Sequence, residues 1–361
     1  MRILIIMPWK PSLGCIKKWL TSLSNEFRNL GHRVYVFSPY NLPTPIQKFL
    51  ILFSNFPPLH KRLGMIWELF IKTILYMPIS LVLTLANDYI ISFYPPDSIM
   101  FQIFSKMLKK RNITVVHQVI GTRLVGLDGY FWVKHHLLSH KVIAISPRTK
   151  SDVEKIYGVD SKKVVVIYNG LNLRAIEEIS CNVKLKGSPA IIYVGRLEFI
   201  KGPDILLKAF KIVHEKNPHA FLHILGDGSL RKKLERIAES LEIRKYVKFY
   251  GFVSPPYEYM KAADILVIPS RYDAMPTVSL EAMACNVPIV ATDVGGLRDI
   301  IVDYKNGIKA LPKPHDIADK IALLWNDERL RINIKNFQQK FIQNFTWKRA
   351  AKEYLRVMKN P

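Results

Sequence analysis

The sequence predicts an α/β protein of two doubly wound parallel sheets facing each other across a cleft. Three observations carry this. Short apolar runs alternate with amphipathic stretches along most of the chain, the pattern of successive βαβ units. The alternation weakens once, over residues 169–188, and then restarts. The length of 361 residues suits two domains and is long for one.

In the first half, Ile3–Met7 is expected to form a buried strand. A helix over Lys17–Leu30 follows, because Trp19, Leu20, Leu23, Phe27 and Leu30 recur at helical spacing and Gly31 can end it. Val34–Phe37, Tyr89–Phe93, Thr114–Gln118, Val142–Ser146 and Val164–Tyr168 continue as strands, with a helix over Asp97–Lys110. The second half opens at Ala190–Val194. Strands are expected at Ala220–Leu225, Val247–Tyr250, Ile265–Ile268 and Ile289–Thr292. Helices are expected over Asp204–Glu215, Arg231–Leu241, Pro256–Ala262 and Val278–Ala284, with the last two at roughly 315–325 and 328–358. The expected organisation is a first domain over 1–172, a linker over 173–188, a second domain over 189–340, and a terminal helix over 341–361 that packs back on the first domain. Such sheets bind ligands at the carboxyl ends of their strands.

Apolar residues make up 49% of the chain and charged residues 23%, so sizeable cores are available and global disorder is excluded. Lys and Arg number 53 against 29 Asp and Glu, a net charge of +24. That excess fits nucleic acid, an acidic membrane surface or phosphate-bearing substrates. No zinc-finger spacing, RNP-type aromatic sequence or helix-turn-helix accompanies the basic runs at Lys106, Lys109, Lys110 and Arg111 or at Arg231, Lys232 and Lys233, which argues against nucleic acid. Cys15, Cys181 and Cys285 are widely spaced and odd in number. They suggest neither a disulfide framework nor a metal site, and a reducing, cytoplasmic setting fits them. The apolar run at the N-terminus is too short for a signal peptide. Leu63–Ala86 is strongly apolar, but Glu68, Lys72 and Pro78 interrupt it. Buried helices or a segment lying on the inner face of a membrane suit it better than a span.

The chemistry-bearing residues cluster between Tyr193 and Glu281. In Val194-Gly195-Arg196-Leu197 and Lys201-Gly202-Pro203-Asp204 a strand ends, a loop carries Arg196 and Lys201, and a helix begins. Two cations so placed suit a diphosphate, although a solvated loop would look the same. Leu225-Gly226-Asp227-Gly228 lets the backbone at Gly226 approach a ligand or make a tight turn. In the run from Pro269 to Ala284, Asp273 and Glu281 are eight residues apart across a loop that becomes a helix. Backbone N–H groups at Thr277 and Val278 would open that helix and can face an anion. Asp273 could hold sugar hydroxyls and Glu281 ribose hydroxyls; a surface acid and a helix N-terminal Glu remain the plain alternative.

The order G-R-L, K-G-P-D, G-D-G, G-F-V, A-D-I-L-V-I-P-S, D-x7-E-A-M-A and V-P-I-V-A-T-D-V-G-G resembles the family-4 retaining glycosyltransferases (glycosyl transferases group 1). Ile145-Ser146 and Val166-Ile167-Tyr168-Asn169-Gly170 also fit. The likeness runs from about residue 110 to 350 and, more loosely, over the opening 40. It implies the GT-B fold of two Rossmann-like domains. It also implies a nucleotide-sugar donor, a sugar or lipid-linked acceptor, and retention of anomeric configuration. By this resemblance Arg196 and Lys201 match the basic pair on the donor diphosphate. Glu281 matches the second acid of the E-x7-E motif, and Asp273 stands where its first Glu usually contacts the transferred sugar. Gly251-Phe252-Val253 matches the loop whose backbone, at Val253, meets the base. His117 matches a histidine near the reacting sugar. Gly14 is retained from a glycine-rich first loop, whose second glycine and acid are here Cys15 and Lys17.

Glycosyl transfer passes through an oxocarbenium-like state while negative charge grows on the leaving diphosphate. Cations and N–H donors on that diphosphate meet the need. No D-x-D motif stands ready for a divalent ion, so neither metal nor cofactor is expected. The apolar stretch and the basic excess suggest an acceptor presented at an acidic membrane. A sugar-nucleotide epimerase on the same fold and a non-catalytic nucleotide-sugar-binding partner are the alternatives.

Overall fold

The computed structural model describes residues 1–6, 14–37, 77–92, 99–116, 136, 138–273 and 276–359. The chain divides into two compact units. The first is Met1–Gly170 with Trp347–Pro361, and the second is Leu171–Thr346.

The first unit has a six-stranded parallel sheet: β1 (Arg2–Ile6), β2 (Arg33–Phe37), β3 (Tyr89–Ser92), β4 (Arg111–Val116), β5 (Lys141–Ala144) and β6 (Val164–Val166), in the order β2-β1-β3-β4-β5-β6. Its inner strand β1 is apolar on both faces, as a strand covered on both sides requires: Ile3 to Ile6 are all fully buried. Helix α1 (Gly14–Asn29) puts Trp19, Leu23 and Phe27 against the sheet. The described helices continue with α2 (Ile99–Met107) and α3 (Pro147–Tyr157); residues 77–86 are also helical. Ser146 caps α3 through its side chain, with Pro147 in the first turn and Gly158 ending it at φ +65°.

The second unit has another six-stranded parallel sheet: β7 (Ala190–Val194), β8 (Phe221–Leu225), β9 (Val247–Gly251), β10 (Ile265–Ile268), β11 (Ile289–Thr292) and β12 (Ile308–Ala310). The order is β12-β11-β10-β7-β8-β9. The chain winds outward from β7 through β8 to β9, returns to the centre, and winds the other way from β10. Its helices are α4 (Leu173–Glu177), α5 (Pro203–Lys216), α6 (Arg231–Ser240), α7 (Tyr257–Lys261), α8 (Thr277–Ala284), α9 (Leu297–Ile300), α10 (Pro314–Asn326) and α11 (Glu328–Ile342). Leu206, Phe210, Leu222, Ile224, Ile265 and Ile321 lie in its core.

Two boundaries differ from the expectation. Residues 173–188 are not a free linker but fall in the second unit. Asn172 caps α4, Leu173 and Ile176 are buried, and Lys261 donates to the carbonyls of Glu177 and Ile179. The expected helix over 328–358 is two. α11 stays with the second unit, where the buried Gln338 amide donates to the carbonyls of Val287 and Asn306. After residue 346, α12 (Trp347–Lys359) joins the first unit. There Tyr354 meets the rings of Trp19 and Phe27 edge-on at 6.1 and 6.3 Å, and Arg111 donates to the carbonyl of Met358 at 2.7 Å. Of the apolar stretch Leu63–Ala86, residues 63–76 lie outside the described residues. No helix among the described residues is long and apolar enough to cross a membrane.

Candidate functional site

In the second sheet the winding reverses between β7 and β10, so the loops leaving their carboxyl ends diverge and open a crevice. A pocket lies there. Tyr193, Val194 and Gly195 line it from β7 and its loop, with Lys201. Val267, Ile268, Ser270 and Asp273 line it from β10 and its loop, and Pro276, Thr277 and Val278 from the start of α8.

The two loops are fastened together by their backbones. Lys201 ends a single 3-10 turn, and Gly202 follows at φ +65°, a left-handed conformation. A Cβ on Gly202 would stand 2.0 Å from the carbonyl oxygen of Pro269, so only glycine lets the strands' loops come this close. Arg271 adds a side-chain clamp. Its guanidinium donates twice to Asp204, at 2.8 and 2.7 Å, and once to the Phe199 carbonyl at 2.6 Å. It also stacks 3.8 Å from the centre of the Phe199 ring, while its own N–H donates to the Ile200 carbonyl. Burial pushes the Asp204 carboxyl up, but the hydrogen bonds and charge of Arg271 outweigh this and hold it below its ordinary value.

Asp273 is set from the far side. Gly295, at φ +50°, lies so close that a Cβ would sit 2.1 Å from the Asp273 carbonyl oxygen, and the Gly296 N–H donates to that oxygen at 2.7 Å. Thr292 donates its hydroxyl to the Ser270 carbonyl at 2.6 Å. The Asp273 side chain is buried and forms an ion pair with Lys201, Oδ2 to Nζ, at 2.5 Å. The first N–H groups of α8, at Thr277 and Val278, have no partner one turn back within the helix. The pocket thus combines one cation, one carboxylate and a helix N-terminus, which together suit a phosphate attached to a hydroxyl-bearing group.

The expected site residues divide accordingly. Lys201, Asp273, Thr277 and Val278 line one pocket. Glu281 lies one turn further into α8, half-buried, and accepts a hydrogen bond from the Tyr257 hydroxyl at 3.3 Å. Burial, and next the charge of Glu281, push that phenol well above its ordinary value. Gly226 and Val253 follow β8 and β9, at the same end of the sheet, where the Gly226 N–H donates to the Gly251 carbonyl. Arg196 does not join Lys201. Its guanidinium is 67% exposed and pairs with Glu198 at 2.5 Å, while the buried Tyr193 hydroxyl donates to its carbonyl. Gly14 opens α1 in the first unit rather than forming part of a loop before it. His117 lies outside the described residues. Sequence reasoning assigned no role to Arg271, Asp204 as its partner, or Gly295. Arg271 stood inside the run from Pro269 to Ala284, and an Arg two residues before the pocket acid was the available signal.

The model described as "Glycosyl transferases group 1" matches residues 176–343, and that described as "Glycosyltransferase Family 4" matches residues 16–175. Between them they take in most of the chain, which belongs to the family-4, group 1 glycosyltransferases. An uncharacterised glycosyltransferase of Methanocaldococcus jannaschii is 35% identical over 237 residues, 61% of this chain and 60% of that one. The D-inositol 3-phosphate glycosyltransferase of Xylanimonas cellulosilytica is 29% identical over 240 residues, 61% of this chain and 56% of that one. The aligned part thus spans under two thirds of these relatives. Among solved structures, Anabaena HepE in complex with UDP superposes with a TM-score of 0.80 at 19% identity, covering 100% of both chains. A glycosyltransferase of Rickettsia africae does so with 0.77 at 17%, covering 99% of this chain and 97% of that one. These likenesses show the GT-B fold of two Rossmann-like units.

Proposed function

We propose that this protein transfers a sugar from a nucleotide-diphosphate sugar to a hydroxyl acceptor, with retention of anomeric configuration and without a metal ion. The observation that carries the reading is the convergence of Lys201, Asp273 and the N-terminus of α8 on one pocket at the switch point between β7 and β10. Lys201 and the N–H groups of Thr277 and Val278 meet the charge that grows on the diphosphate as the glycosidic bond breaks. Asp273 accepts from hydroxyls of the transferred sugar, and Glu281 from the ribose. Neither Asp273 nor His117 is assigned as a covalent nucleophile. The acceptor hydroxyl attacks from the face the diphosphate leaves, and a phosphate oxygen takes its proton.

Thermal-shift titration with UDP-, GDP- and ADP-sugars tests the donor class. At 100 times its dissociation constant the matching donor stabilises the protein by about 2.7 kcal/mol. A labelled donor then gives a glycoside of unchanged anomeric configuration, with undiminished rate in EDTA. No stabilisation by any of the three would end this reading. Release of a free epimerised nucleotide sugar instead of a glycoside would make the protein an epimerase.

The acceptor is proposed to lie at an acidic membrane surface, as a lipid-linked sugar. In the helical residues 77–86, Ile79, Ser80, Leu83 and Thr84 face the core, while Met77, Leu81, Val82 and Leu85 leave apolar side chains exposed on the other face. Flotation with vesicles containing acidic lipid tests this, and a protein left wholly at the bottom of the gradient would refute it.

A further inference from the structure

We propose that the Lys201–Asp273 ion pair is a latch that lets the site tell the whole donor from the bare nucleotide diphosphate; this rests on the donor reading above. Lys201 is the one cation lining the pocket among the described residues, since Arg271 is held by Asp204 and Arg196 by Glu198 outside it. Among those residues, the only side-chain hydrogen bond of either Lys201 or Asp273 is the one between them. Side-chain exposure is 23% for Lys201 and 9% for Asp273, so water screens the pair poorly. A diphosphate entering the pocket must therefore draw Lys201 away from Asp273. With a free nucleotide, the buried carboxylate loses its cation and gains nothing in return. With a nucleotide sugar, the sugar hydroxyls donate to Asp273 as Lys201 turns to the phosphate, and both groups keep a partner.

Two consequences follow from one pair. The whole donor binds in preference to the spent nucleotide. After transfer removes the sugar, Asp273 recaptures Lys201 and helps expel the product, a step that limits turnover in many enzymes. Asp is one methylene shorter than Glu, and its reach to Lys201 at 2.5 Å shows that the short arm suffices for the latch.

The test is isothermal titration of the full-length protein with UDP, GDP and ADP, and with a sugar nucleotide of each base. Asp273→Asn removes the carboxylate and keeps its size. It is expected to bind the free nucleotide about tenfold tighter than the parent does and to lose most of the preference for the sugar nucleotide. In a Lys201→Gln background the same change should matter by less than about threefold, because the gain runs through the lysine. Asp273→Ser, checked by thermal melt, serves if Asp273→Asn does not fold. Unchanged or weaker nucleotide binding in the folded acid variants overturns the latch while leaving the transferase reading intact. A tenfold gain that persists without Lys201 also overturns it, since simple repulsion between Asp273 and the diphosphate would then explain the gain. Failure of the parent to bind any of the three nucleotides or any of their sugar nucleotides overturns the donor reading and the latch with it.

Discussion

The two units share an architecture, six parallel strands with a reversal in winding, and differ in what surrounds it. The first unit carries 27 basic and 9 acidic residues, the second 26 and 20. Most of the protein's positive excess therefore sits in the first unit. In the second unit many cations pair with acids, several of them around the pocket: Lys201 with Asp273, Arg271 with Asp204, Arg196 with Glu198. The contrast teaches that similar numbers of basic residues can do two jobs. Paired one to one they build a defined small-molecule site; unpaired they give a unit a field that attracts acidic surfaces.

The largest effect is expected where a paired cation meets the ligand. Lys201→Ala should lower kcat/KM for glycosyl transfer by about 100-fold or more, as loss of one preorganised charge at a leaving group does. Steady-state kinetics with the matching donor measure it, and a fall under threefold would remove Lys201 from the site. Arg196→Ala should cost much less, because that guanidinium is turned to Glu198 and solvent.

Next come the glycines that set the acid. Gly295→Ala puts a methyl 2.1 Å from the Asp273 carbonyl oxygen in a left-handed conformation. The expected cost is about 2 kcal/mol of stability, seen in denaturant unfolding, together with weakened donor binding because Asp273 shifts. An unchanged midpoint and unchanged donor affinity would show that the Asp273 loop is not held there.

The clamp ranks third. Arg271→Ala removes two charge-assisted bonds to Asp204 and one to the Phe199 carbonyl. About 1–2 kcal/mol is expected, with KM for the donor rising more than kcat falls, since Arg271 holds the two loops together without lining the pocket. The sign with pH follows from Asp204, whose folded value lies below the ordinary 3.8. The clamp's contribution is complete above that ordinary value and is lost as pH falls through the lower folded one. The stability gap between Arg271→Ala and the parent should therefore narrow in acid to what the bond to the Phe199 carbonyl and the ring contact leave.

The same contrast governs what was legible beforehand. The second unit announced itself because a phosphate site at a strand end needs glycines, a cation and a helix start at fixed spacing, and these appear in the sequence as G-R-L, K-G-P-D and D-x7-E. Lys201, Asp273, Thr277 and Val278 converge because strand ends that are neighbours in the sheet bring distant motifs together. What spacing could not show is direction. Arg196 and Lys201 are five residues apart, yet the 3-10 turn Phe199–Lys201 faces one to the pocket and leaves the other beside Glu198. Spacing also missed the clamp, since Arg271 and Asp204 are 67 residues apart and meet only once β7 and β10 lie side by side. The chain's return to the first unit after residue 346 was anticipated for the terminal segment. The place of the break between α11 and α12 was not, because Phe337, Phe341 and Phe345 recur every four residues up to it and the expected helix over 328–358 ran through it.

The smallest effect on folding is the one that tests the first unit. Val82 is 63% exposed on the helical residues 77–86, beside exposed Leu81 and Leu85. Val82→Glu adds a charge where water already reaches, so stability should change by no more than about 0.5 kcal/mol. If that face meets lipid, the same substitution sets an anion against an acidic surface and withdraws apolar area from it. Flotation with acidic vesicles should then fall severalfold, while transfer to a soluble acceptor stays at the parent's rate. Equal flotation of the two proteins would leave the unit's basic excess to act alone, and raising the salt to about 0.5 M would then release both from the vesicles, because unpaired charge at a surface is screened within a few ångströms at that strength.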